Sequence, residues 1–251
     1  MSVTSDTAGK RPSIINPGRF AGIADRAVPI LAALTAVTLC FGLYLALWAS
    51  PEDYQQGSTV RIMYIHAPSA YIALMAYVVM TSAALGTLVW RHPLADVAAR
   101  AAAPIGAAFT LATLASGAIW GKPMWGAWWV WDARLTSMLI LFFMYLGLIA
   151  LSRAIEEPAR AARITAIATL IGFINIPIIK FSVDWWNTLH QGASVMRLDG
   201  PSMPASMLTP LLVMALAFTL LFMTLHLAEM RTELLRRRAR TLRLRAARNA
   251  G

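Results

Sequence analysis

The sequence predicts an all-α, polytopic membrane protein with six transmembrane helices. Three observations carry this reading. The 251 residues are 58% hydrophobic and only 14% charged, whereas a soluble domain carries roughly 25% charged residues. Apolar runs of about 20 residues, long enough to cross a hydrocarbon core, recur along the chain. The runs are continuous and do not alternate apolar with polar residues, which argues against barrel strands.

Taken in order, residues 1–27 form a polar, basic cytoplasmic arm with Lys10, Arg11, Arg19 and Arg26. The first span covers about residues 28–48. It is longer than the roughly 7–15 apolar residues of a signal-peptide core and reads as a retained signal anchor. Ser50-Pro51-Glu52-Asp53 ends it. The second span runs from about Arg61 to Trp90. Pro68 disfavours helix at the residue before it, which predicts a kink or a late helix start.

The third span is about 101–119 and the fourth about 134–152. Between them lies Trp120-Gly-Lys-Pro-Met-Trp125-Gly-Ala-Trp128-Trp129-Val-Trp131-Asp132, which holds five of the nine tryptophans. The fifth span, about 164–182, carries Asn175, Pro177 and Lys180. The Asn175/Pro177 pair predicts a local adjustment of that helix, and Lys180 reads as snorkelling to the interface. The sixth span is about 205–229, so the membrane domain is 28–229 and a basic cytoplasmic tail covers 230–251.

Six spans place both termini on one side. Seventeen of the 22 Lys and Arg residues then fall on the side of the termini, eight of them in the tail. The positive-inside rule puts that side in the cytoplasm. A basic run beside a span is a topology signal with attraction to anionic lipid, so membrane lipid is the expected partner of the tail and nucleic acid is not. The single cysteine, Cys40, permits no intramolecular disulfide, and no C-x-x-C-H haem-attachment motif or P-loop is present.

The same topology sends Trp48, Trp120, Trp125, Trp128, Trp129, Trp131, Trp185 and Trp186 to the outer side and Trp90 alone to the inner side. An interfacial belt marks both interfaces, so this asymmetry favours a binding surface over an anchor. His66 and His190 share that side, while His92 and His226 fall on the other. Neutral imidazole is a common ligand of haem iron. Trp125, Trp128, Trp129 and Asp132 stand at i, i+3, i+4 and i+7, which predicts one helical face, with Gly121 and Pro123 in a turn before it. Asp132 fits either an acceptor that orients a histidine or a helix N-cap. Arg61 and Arg134 are candidate partners for haem propionates. Arg134 fits equally an ion pair with Asp132 or a span anchor.

Residues 120–136, Trp-Gly-Lys-Pro-Met-Trp-Gly-Ala-Trp-Trp-Val-Trp-Asp-Ala-Arg-Leu-Thr, closely resemble the WWD signature of a haem-handling superfamily. Ile65-His66-Ala-Pro-Ser69, Asp184-Trp-Trp-Asn-Thr-Leu-His190-Gln-Gly192, the length and the six spans resemble the CcmC family of the bacterial cytochrome c maturation system. The resemblance covers roughly residues 20–230.

It implies a multi-pass protein of the bacterial inner membrane that binds haem b transiently and without a covalent bond. His66 and His190 would be its axial ligands. The segment Trp120, Trp125, Trp128, Trp129, Trp131 and Asp132 would contact haem and present it at the periplasmic face to the chaperone CcmE. The further implied partners are CcmD and the ABC transporter subunits CcmA and CcmB. No small-molecule turnover is expected, so the chain is not expected to be an enzyme. Two other readings fit the residues: a bis-histidine membrane cytochrome passing electrons to or from quinone, and a transport or assembly subunit without haem.

Overall fold

A computed structural model of the chain describes residues 16–190, 192, 194–195, 197 and 199–249, leaving out the side chain of Arg248. The expectations for residues 1–15 of the arm, Lys10 and Arg11 among them, and for Gln191 lie outside the described residues. Seven α-helices follow one another: α1 Pro17–Tyr44, α2 Met63–Leu88, α3 Ala95–Trp125, α4 Ala133–Ala154, α5 Pro158–Gly172, α6 Asn175–Trp185 and α7 Ala205–Asn249. With the turns that extend α1 and α2, and with α5 and α6 taken together, they give six segments long and apolar enough to cross a membrane.

Local chemistry explains the ends. Asn16 caps α1 by accepting a hydrogen bond from the Gly18 N–H at 2.9 Å, and Pro17 starts the helix where no N–H is needed. A π-helical turn, Leu45–Ala49, closes α1. In the connector, Asp53 Oδ1 accepts from the backbone of both Gln55 and Gln56 at 2.9 Å. A 3₁₀ segment, Ser58–Ile62, then leads into α2 at Met63, so Pro68 lies inside a helix that starts two residues beyond Arg61.

Four spans differ from expectation. The first begins at Pro17 rather than about residue 28, so residues 17–27 of the expected arm are helical. The third is longer, running on through Trp120 to Trp125. The fifth is broken between Gly172 and Asn175. Pro177 sits in the first turn of α6, where a missing N–H is tolerated, and Asn175 Nδ2 donates to the Ser137 carbonyl of α4 at 2.9 Å. The adjustment predicted from this pair is therefore a full break and restart. The tail is a continuation of α7, whose 45 residues extend about 68 Å at about 1.5 Å per residue. That is about twice the hydrocarbon core.

Helix α2 is the centre of the bundle. Tyr64, Ile72, Ala73, Ala76 and Tyr77 have no exposed surface. Small residues at a spacing of four on α3, Ala102, Gly106 and Thr110, are buried and allow close approach. Tyr145 of α4 lies on Gly106 and donates its hydroxyl to the Ala73 carbonyl at 2.7 Å. Tyr77 donates to the Thr169 carbonyl of α5 at 3.1 Å and meets Tyr145 edge-on, with centroids 5.5 Å apart. Both phenols thus find acceptors where water is excluded. Thr35 of α1 and Thr224 of α7 share a hydroxyl hydrogen bond of 3.0 Å.

A side chain at Gly106 would occupy the space of the Tyr145 ring, whereas Gly147 has no neighbour within 4 Å. Gly106→Ala is expected to destabilise the protein by about 1–3 kcal/mol, the usual range for overpacking. Gly147→Ala is expected to leave stability unchanged. Thermal unfolding of the purified protein compares the two.

Candidate functional site

The tryptophan segment is two structures joined at a glycine. Gly126 adopts φ +75°, a left-handed conformation that ends α3, and its N–H bonds the Lys122 carbonyl at 3.1 Å. The predicted single helical face over Trp125, Trp128, Trp129 and Asp132 is therefore corrected. Trp120 and Trp125 ride on the last turns of α3, and the chain from Ala127 to Trp131 is not helical. The turn expected at Gly121 and Pro123 is also absent, because both residues lie within α3. Gly121 instead seats the Trp125 indole: a Cβ there would stand 2.9 Å from the ring.

Asp132 performs both functions that the sequence left open. Its Oδ1 accepts from the Leu135 N–H at 2.7 Å and caps α4. Its Oδ2 lies 2.9 Å from His190 Nδ1. A carboxylate only accepts, so His190 Nδ1 carries the proton and Nε2 keeps a free lone pair. Burial pushes the His190 imidazole below its ordinary pKa, and the hydrogen bond and charge of Asp132 oppose that shift. Trp125 braces the ring edge-on, with centroids 4.9 Å apart.

His66, in the first turns of α2, is held in the same sense. Its Nδ1 lies 3.1 Å from Ser116 Oγ. That hydroxyl already donates to the Ala112 carbonyl at 2.6 Å. Ser116 is then the acceptor, and His66 likewise leaves Nε2 unprotonated. Gly117 gives the ring room, since a Cβ there would lie 3.0 Å from Cε1. Trp120 packs against the ring edge-on, 5.6 Å between centroids, and donates its indole N–H to Gln56 Oε1 at 3.0 Å.

Both histidines border two adjoining cavities of about 360 and 370 Å³, whose shared wall includes Gly117, Trp125, Arg134 and Lys180. Each is the size of a small-molecule site, about 300–1,000 Å³. One is lined by Leu74, Leu114, Met138, Ile179 and Trp129, and the other by Met63, Trp120, Met124 and Leu189. The Trp129 indole N–H is buried without a hydrogen-bond partner among the described residues. Arg134 donates to Ser182 Oγ at 3.2 Å and to the Lys180 carbonyl at 3.4 Å, so Ser182 and the α6 backbone, not Asp132, hold it.

The remaining candidates separate. Trp128 and Trp131 are 59% and 76% exposed and line neither cavity. Arg61 is not among the lining residues, and its Nε is buried without a partner. His92 accepts from the Leu94 N–H at 3.2 Å, and His226 stacks on Phe222. Neither lines these cavities. Among the described residues, no group of three or more His, Cys, Asp or Glu forms a metal cage.

Lys180 lines both cavities, where the sequence suggested only an interfacial lysine. Ser116 and Gly117 gave no signal beyond lying one turn before Trp120. The break after Gly172 turns Lys180 and Ser182 toward Arg134, and no local pattern reveals that.

The profile of a family described as heme exporter protein C, CcmC, matches residues 12–245. A heme exporter protein C of Bradyrhizobium diazoefficiens is 64% identical over 92% of this chain and 88% of that protein. Its counterpart in Haemophilus influenzae is 48% identical over 87% of this chain and 89% of its own length. A putative cytochrome c biosynthesis ccmC-like mitochondrial protein of Marchantia polymorpha is 44% identical over 82% of this chain and 87% of its own.

Asparagine is also a favoured N-cap, so Asp132→Asn keeps the α4 cap and removes the charge that raises the His190 pKa. His190 is expected to titrate at lower pH in the variant than in the parent. Histidine-selective ¹⁵N NMR across a pH series measures this. An unchanged or higher pKa would mean that Asp132 does not support the ring.

Proposed function

The chain belongs to the heme exporter protein C family, CcmC, and from that premise we propose that it holds haem between His66 and His190 and hands it to the chaperone CcmE. The observation that carries this reading is the pair of imidazoles on one cavity wall, each with Nδ1 committed to a fixed acceptor. Such second partners fix the tautomer and orientation that a metal-bound imidazole needs. Both rings leave Nε2 free for iron.

The cargo is a flat apolar ring with two carboxylates. Trp120, Trp125 and Trp129 supply aromatic walls, and the cavities are otherwise lined mainly by aliphatic and methionine side chains. Arg134 and Lys180 supply cations on the shared wall, and the unpartnered Trp129 N–H supplies a further donor for a propionate. The exposed Trp128 and Trp131 are left to face the chaperone or lipid. The haem is held by coordination and packing alone, which suits haem b bound transiently.

The orientation rests on charge. The arginines of α7 and those near the ends of α3, α4 and α5 support cytoplasmic termini, and with them a histidine end of the bundle at the periplasmic face of the inner membrane. CcmD and the ABC subunits CcmA and CcmB complete the assembly. The role is carriage and delivery, not turnover of a small molecule.

His66→Ala and His190→Ala are each expected to lower haem that copurifies with the protein at least several-fold, read from Soret absorbance, and to lower haem loading of CcmE. Normal haem content with normal loading in both variants would overturn the assignment. Bound haem that cycles with quinol but never transfers to added CcmE would favour the electron-carrying reading.

A further inference from the structure

At the end of α3 remote from the histidines, the C-terminal ends of α2 and α4 and the middles of α5 and α7 line a cavity of about 180 Å³. One buried water needs about 10–15 Å³, so this space is not a water pocket alone. Its wall carries three cations, Arg100, Arg153 and Arg236, and three carboxylates, Asp96, Glu229 and Glu233. A second, apolar groove of about 520 Å³ runs between α3 and α7 past Ile105, Ala108, Phe109 and Leu225. Pro104 and Glu229 belong to both walls, so the charged cavity and the apolar groove adjoin.

Water fits the first space and not the second, and a hydrocarbon fits the second and not the first. We propose that the two together bind one phospholipid with a primary-ammonium headgroup, its chain in the α3/α7 groove and its phosphate and ammonium in the charged cavity.

The pairing within the cavity assigns the poles. Arg100 is engaged by Asp96 at 2.9 Å and by the Ser152 carbonyl at 3.2 Å. Arg236 is engaged by Glu229 at 3.0 Å. Arg153 has no ion pair among the described residues and is the cation left for a phosphate. Thr165 Oγ1, buried without a partner on the same wall, adds a hydroxyl. Glu229, at the junction with the groove, gives Oε1 to Arg236 and keeps Oε2 for the ammonium. A primary ammonium donates three hydrogen bonds, whereas a choline head has no N–H and a phosphoglycerol head has no cation. Asp96 and Glu233 are further engaged by Arg237, so Glu229 is the acceptor left for N–H donors, and that favours phosphatidylethanolamine over either.

Delipidated full-length protein, given equimolar phosphatidylethanolamine, phosphatidylcholine and phosphatidylglycerol with matched chains, is read by native mass spectrometry. Phosphatidylethanolamine is expected to be retained several-fold over the others. Glu229→Gln should abolish that preference. Arg153→Ala should lower retention of all three lipids, whose phosphates it meets alike, and Arg153→Lys should preserve it. Ala108→Trp, which fills the groove without touching a charge, should lower retention of all three, with the Soret spectrum unchanged as a folding control. Equal retention of the three lipids by the parent would overturn the proposal. So would a parental preference that survives Glu229→Gln, or retention that Ala108→Trp leaves unchanged.

Discussion

One carboxylate joins the membrane bundle to the site. Asp132 is 8% exposed and divides its two oxygens between the first turn of α4 and the imidazole of His190. The cap contributes about 1 kcal/mol by itself. Its larger consequence is positional. His190 lies in a connector with no helix of its own, and Asp132 ties it to a rigid helix end. Trp125, seated on Gly121, then closes the other side of the ring. Without that carboxylate, the buried imidazole would keep its desolvation cost and lose its acceptor.

His66 needs no such tether because it stands on α2, a helix packed well inside the bundle. The tyrosines that fix α2 against α4 and α5 are therefore part of the site's support. They bind main-chain carbonyls at Ala73 and Thr169 and set the spacing of the helices that carry His66 and Arg134. The break between α5 and α6 adds a second link. It lets Asn175 bond to α4 and brings Ser182 and the Lys180 carbonyl to Arg134. Packing and polar satisfaction in a low-dielectric interior thus place two histidines and two cations around one space.

Much of this was legible in the sequence. Length and hydropathy gave the six spans, because a bilayer imposes a length on any helix that crosses it. The aromatic and histidine asymmetry singled out His66, His190 and Trp125, all of which line the cavities. Residues 125–132 read as one helical face because the i, i+3, i+4 spacing is counted across Gly126, whose left-handed conformation resets the register. Lys180 was missed because a lysine near a span end ordinarily reaches for the interface. Its role as lining depends on a helix break and on tertiary contacts to α4, which leave no periodic trace.

If two imidazoles of this chain hold one iron, pulsed electron paramagnetic resonance of the haem-loaded protein carrying ¹⁵N-labelled histidine reads it directly. A low-spin ferric signal with hyperfine coupling to two equivalent or nearly equivalent imidazole nitrogens is expected. Coupling to a single histidine nitrogen, or to none, would contradict it.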